Sequence, residues 1–177
     1  MRSAVVFLAT VASGCTAVYG GYSVGRPNYA VLPNRAALVG GTLGAERWPA
    51  RSRLAGYTEF QVRADGEDNL TVVELVGGGR FAALQTDDVR IGVEADLGFA
   101  QADLQRFRNS NELLTAAAGA FARVRAAERV WLMTSVGGRA YWDVTDPRTS
   151  GVGASAIDED LGDSIGIDFF VGLLVEF

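Results

Sequence analysis

The chain closes on Ser164-Ile165-Gly166-Ile167-Asp168-Phe169-Phe170-Val171-Gly172-Leu173-Leu174-Val175-Glu176-Phe177. Every odd position from Ile165 onward is large and apolar, while Gly166, Asp168, Gly172 and Glu176 stand between them. A repeat of two, kept without a fault, means an extended strand with one apolar face. Outward from this segment the same rule recurs. Val89, Ile91, Val93, Ala95, Leu97 and Phe99 oppose Arg90, Gly92, Glu94, Asp96 and Gly98. Leu54, Gly56, Thr58, Phe60, Val62 and Ala64 oppose Arg53, Tyr57, Glu59, Gln61, Arg63 and Asp65. Residues 70 to 84 and 130 to 144 read the same way, as do 36 to 48, with Thr42 and Glu46 on the polar side. Residues 113 to 126 carry alternate alanines against Thr115, Arg123 and Arg125. A short opening strand, Ala17 to Gly25, brings the number to eight.

The joints fall near 26 to 35, 49 to 52, 66 to 69, 85 to 88, 105 to 112, 127 to 129 and 145 to 163. Every second one is a tight turn, and the longest is the last. Even strand number, tight turns on one side and longer loops on the other predict an all-β fold, an eight-stranded antiparallel up-and-down transmembrane barrel. Alternation is symmetric, however, and a soluble barrel would turn its apolar set inward. Three features favour the outward reading: polar faces rich in glycine and in charges of both signs, aromatics near strand ends (Phe81, Phe99, Trp142, Phe177), and a terminal phenylalanine.

Composition narrows the rest. The 177 residues include 22 glycines, 16 arginines, no lysine, no histidine and one cysteine, with a net charge of -5. Scattered arginines in an acidic chain argue against nucleic-acid binding. A single thiol forms no internal disulfide. Mean hydropathy is +0.14, yet no internal run reaches the roughly 18 apolar residues of a spanning helix. At the front, Met1-Arg2, an apolar stretch from Ala4 to Ala12, and Ala12-Ser13-Gly14-Cys15 have the layout of a signal peptide.

The closing segment resembles the C-terminal signature of bacterial outer-membrane β-barrels, with Gly172, Val175 and Phe177 in its positions. The stretch from about 17 to 177 is similar in size and strand count to the OmpA transmembrane domain and OmpX-like barrels. Ala12 to Cys15 resembles a lipoprotein lipobox. These resemblances imply residues 1–14 as a signal peptide, lipidation at Cys15, one barrel domain over 15–177, residence in the bacterial outer membrane, and membrane lipid and the insertion machinery as partners. An envelope protein partner fits the same setting.

Eight strands enclose an interior that side chains fill. The residues on the polar faces are Tyr57, Glu59, Gln61, Arg63, Glu74, Arg80, Arg90, Glu94, Asp96, Arg123, Arg125, Arg139, Tyr141, Asp143 and Asp168. Buried charges must pair, so a network drawn from Glu59, Arg63, Glu74, Arg80, Arg90, Glu94, Asp96, Arg123, Arg139 and Asp143 is expected to plug the lumen, with inward glycines making room for arginine. Known small outer-membrane barrel enzymes resemble one another in using a histidine base beside serine or aspartate, and this sequence has no histidine. Ser135 beside Asp96 or Asp143 is better read as lumen polarity, so no catalytic residue and no cofactor is assigned. The acids Asp158, Glu159, Asp160 and Asp163 are candidates for binding a cation or a basic partner in the longest loop; their spacing matches no calcium-loop motif. Arg106, Arg108 and residues 109 to 111 are candidates for contacting lipopolysaccharide phosphates. The function expected is a non-enzymatic outer-membrane barrel in a structural, envelope-complex or surface-binding role. A soluble lipocalin-like lipoprotein carrying a small apolar ligand, and a narrow channel, are the other readings.

Overall fold

The computed structural model describes residues 17–27, 37–49, 51–65, 70–104, 109–144 and 163–177. They form eight strands: β1 (Ala17–Pro27), β2 (Leu38–Arg47), β3 (Leu54–Ala64), β4 (Leu70–Gln85), β5 (Val89–Leu104), β6 (Asn109–Ala127), β7 (Val130–Asp143) and β8 (Ser164–Glu176). Each pairs antiparallel with its sequence neighbours, and β1 pairs with β8, so the sheet closes into a barrel without an edge. Closure matters physically because it leaves no unpaired row of backbone donors and acceptors. Ala17 faces Glu176 across the seam, which puts the start of β1 and the end of the chain at one rim.

That rim also carries the tight turns. Ser52 N–H donates to Pro49 O at 2.9 Å, and Arg51 takes the left-handed φ of 62°. The Thr86–Val89 turn is tied by Thr86 N–H to Val89 O at 2.9 Å and by Val89 N–H to the Thr86 hydroxyl at 3.0 Å. Two irregularities in register, at Ala82/Leu84 and Arg125/Ala127, lie beside these turns. Period-two reasoning had no signal for them, because one extra residue shifts the ladder while leaving the apolar count unchanged. The opposite rim is longer than expected: β5 runs to Leu104 and β6 starts at Asn109, so the joint is 105–108.

The outer wall is apolar. Ile165, Ile167, Phe169, Val171, Leu173 and Val175 of β8, and Ile91, Val93, Leu97 and Phe99 of β5, are exposed on it; Leu97 and Phe99 are each 70% accessible. The alanines at 116, 118, 120 and 122 sit on this face of β6, which is a strand throughout. The inner wall holds the charges: Arg63, Arg80 and Arg123 are 1% accessible and Glu74 is 1%. This is the reverse of a soluble barrel built around an apolar ligand, and it removes the lipocalin-like reading.

Candidate functional site

The lumen is the built polar site of the described residues, and an apolar cluster lies toward each of its ends. Toward the loop rim Leu38, Leu70, Val72, Ala100, Ala102, Leu113 and Tyr141 pack together. Toward the turn rim Ala17, Tyr19, Trp131, Met133, Phe170 and Leu174 do so. The interior thus holds apolar side chains beside the polar candidates named from the sequence. The caps arise because Leu38, Leu70, Leu113, Trp131 and Leu174 share the inward parity of the charged residues. Their effect is to keep water from the middle, where a lower dielectric strengthens each ion pair.

Between the caps lie two clusters. In the first, nearer the loop rim, Arg63 Nη2 bonds Glu74 Oε2 at 2.7 Å and the Tyr141 hydroxyl at 2.7 Å, while Nη1 bonds Asp168 at 2.8 Å. Arg139 reaches the same two acids: Nη1 bonds Glu74 Oε1 at 2.6 Å and Asp96 at 3.1 Å, and Nε bonds Asp168. Two guanidiniums and two shared carboxylates, Glu74 and Asp168, thus form a closed ring, with Asp96 attached to it through Arg139. Arginine suits this work because its planar fork serves several acceptors at once.

In the second cluster Arg80 spends its fork on three acids, Glu94 at 2.8 Å, Glu46 at 2.8 Å and Glu59 at 2.9 Å. The same Glu46 accepts from Arg123 and, at 2.7 Å, from Trp48 Nε1. The surplus carboxylate of each cluster is met by neutral donors. Tyr19 O–H donates to Glu59 at 2.6 Å, Gln61 Nε2 donates to Glu59 at 2.9 Å, and Tyr57 O–H donates to Asp96 at 2.9 Å. Tyr57 joins the two clusters, since its ring lies 4.0 Å from the Arg80 guanidinium while its hydroxyl serves the first cluster.

Glycine makes the space. A Cβ on Gly25 would stand 2.5 Å from Arg63 Nη1 and 2.6 Å from Asp168 Oδ1. On Gly44 it would stand 2.2 Å from the Tyr19 ring, so tyrosines as well as arginines need these positions. A cavity of about 40 Å³ remains between the clusters, bordered by Ser23, Gln61, Asp96, Ser135 and Arg139. That is room for a water or two.

Other residues named from the sequence fall elsewhere. Arg90 is inward near the turn rim, 3.6 Å from Glu176. Asp143 stands at the loop-side mouth and accepts from Asn111 Nδ2 at 2.6 Å. Asn111 is therefore buried in the barrel and is not available to lipopolysaccharide. Asp163 is exposed at the root of β8. Gly172 is inward, whereas Val175 and Phe177 are on the outer wall. Cys15, the segment 1–14, Arg106, Arg108, Asp158, Glu159 and Asp160 lie outside the described residues. Glu46, Tyr19, Trp48 and Trp131 were not singled out as site residues. Glu46 shares a face with Thr42, and Trp131 has the parity of Ser135 and Arg139, so strand parity carried that signal.

No family model and no curated protein matches the chain. Solved structures do match. The crystal structure of Neisserial surface protein A (NspA) aligns with a TM-score of 0.62 at 11% identity, over 91% of this chain and 96% of that one. Ail, the attachment invasion locus protein of Yersinia pestis, aligns at 0.54 with 14% identity, over 91% and 97%. Its complex with the heparin analogue sucrose octasulfate aligns at 0.51 with 13% identity, over 91% and 97%. At these identities the likeness is one of fold, and it agrees with the inverted walls and the closed ladder: the chain has the fold of the small eight-stranded outer-membrane β-barrels.

Proposed function

We propose that the protein is an integral, non-enzymatic barrel of the bacterial outer membrane, closed along its axis, that acts through its loop rim in a structural, envelope-complex or surface-binding role. The observation that supports this best is the inversion of its walls, with large hydrophobic side chains exposed outside and ten charged side chains of two arginine clusters and their acids held inside. An apolar wall of this kind is stable against hydrocarbon and costly against water. Membrane lipid is then its constant partner. Val175 and Phe177, outward at the turn rim, are where the insertion machinery engages the chain, and Cys15, two positions before β1, is where acyl chains would enter the periplasmic leaflet.

The lumen supports closure over conduction, since its width is spanned by bonded side chains and capped at both ends. Mature protein is expected to leave outer membranes only with detergent and to run faster on a gel before boiling than after. In planar bilayers it is expected to give no large stable conductance. Steady openings of porin size, or extraction by buffer alone, would overturn this reading. The surface-binding part rests on the 145–163 segment with Asp158, Glu159, Asp160 and Asp163. Deleting residues 151–160 is expected to leave insertion intact and to abolish binding of whole cells to their ligand; binding that survives the deletion overturns that part alone.

A further inference from the structure

At the turn rim, among the described residues, three arginines have one carboxylate between them at hydrogen-bond distance, Glu46. Arg90 of β5 and Arg123 of β6 are direct register partners, and like charges directly opposite destabilise a strand pair. Arg125, the next inward residue of β6, faces Trp131 of β7. The three guanidiniums surround the buried Trp131 indole at 5.1, 5.1 and 4.9 Å from its ring. Arg90 and Arg123 also lie over Trp48, at 5.1 and 4.6 Å.

Three carboxylates face this group, and each is already committed or distant. Glu46 is shared among Arg123, Arg80 and Trp48. Glu176 is 3.6 Å from Arg90, and Asp88 is 3.7 Å from Arg125, both beyond hydrogen-bond length. Asp88 is itself 76% accessible.

Among the described residues, five buried donor atoms at this rim have no hydrogen-bond acceptor in the protein: Nε of Arg90, Nε and Nη2 of Arg123, Nε of Arg125, and Nε1 of Trp131. All five belong to groups that only donate. Arg123 is 1% accessible and Trp131 is fully buried, so at these two residues bulk solvent does not supply the missing bonds. The donors come from three adjacent strands on a curved wall, which a planar two-oxygen carboxylate covers poorly and a tetrahedral anion covers well. From this convergence we infer that the turn-side mouth of the lumen binds a phosphate group, free or esterified, with Arg90, Arg123, Arg125 and the Trp131 N–H as its ligands. Arg90 and Arg125, whose side chains are 16% and 33% accessible, form the entrance. Met133 and Leu174 are buried in one apolar cluster with Trp131.

The test uses the full chain folded in a zwitterionic detergent with chloride as background salt. Inorganic phosphate is titrated by calorimetry, followed by glycerol 3-phosphate and by bicelles with and without phosphatidylglycerol. Saturable binding is expected for phosphate. Arg90→Gln and Arg125→Gln are each expected to weaken it at least about tenfold, the loss of one charge-assisted bond, and Trp131→Phe to weaken it less while preserving the stack. Arg47→Gln, on the outer wall, is expected to change nothing. Binding of the two soluble ligands identifies a soluble source, and a phosphatidylglycerol-dependent signal identifies a lipid headgroup. Should a variant fail to fold, the unmodified protein still decides: its Tm is expected to rise in phosphate over chloride at equal ionic strength. Flat titrations with no rise in Tm, or acetate competing as well as phosphate does, would overturn the inference.

Discussion

Arg63 and Arg139, toward the loop rim, meet three carboxylates and a tyrosine hydroxyl, with Glu74 and Asp168 each shared between them. Arg90, Arg123 and Arg125, toward the turn rim, meet two tryptophans and a single close carboxylate, Glu46. Both groups lie inside one barrel, yet they solve the cost of buried charge differently. The first neutralises it with opposite charge at hydrogen-bond distance, and so rigidifies the wall. The second spreads it over indole faces and leaves donor atoms over. Stacking lowers the energy of a guanidinium without using its N–H groups, which is why one end is suited to holding the fold and the other to holding an anion.

Substitutions that break this contrast are expected to rank by how much charge they strand. Arg139→Met leaves Glu74, Asp96 and Asp168 with one buried arginine among them. It is expected to destabilise the barrel by about 3 to 5 kcal/mol, read as a lower urea midpoint for loss of heat-modifiable migration. Glu46→Gln, the link between Arg80 and Arg123, is expected to cost about 2 to 3 kcal/mol, the range of hydrogen bonds to charged groups. If Glu46→Gln proved costlier than Arg139→Met, the loop-side cluster would not be the main tie. Tyr57→Phe keeps the ring on Arg80 and removes only the bond to Asp96, for about 1 to 2 kcal/mol. Arg125→Gln, one-third exposed and paired only with the exposed Asp88, is expected to change stability by less than about 0.5 kcal/mol. A large loss there would mean that the turn-rim arginines are structural, and the contrast between the two ends would fall.

Much of the fold was legible because a strand in a barrel obeys a local rule. Each residue of β8 from Ile165 to Val175 shows its face by parity alone, and the same parity sorts Arg63, Glu74, Arg80, Glu94, Asp96, Arg123 and Arg139 to the inside. Alternation lost its power where a residue's size and its address disagree. Trp131 and Leu174 are apolar and inward, so a reading that equates apolar with outward passes over them. The bulge at Arg125/Ala127 was invisible for a related reason: it shifts one residue beside a turn, where few neighbours remain to show the change of phase.

By itself, the sequence determined that eight period-two strands alternate short and long joints, that the charged faces are rich in glycine, and that no histidine or disulfide is present. Those properties depend on neighbours along the chain. Which acid meets which arginine was decided only by closure. Arg63 and Asp168 are 105 positions apart and meet because the ladder from β3 round to β8 sets both at one height across the lumen. Their register is cumulative over every strand pair between them, so no single segment encodes it. The surplus of donors around Trp131 has the same origin, since it exists only when β2, β5, β6 and β7 bring Trp48, Arg90, Arg123, Arg125 and Trp131 to one end of a common interior.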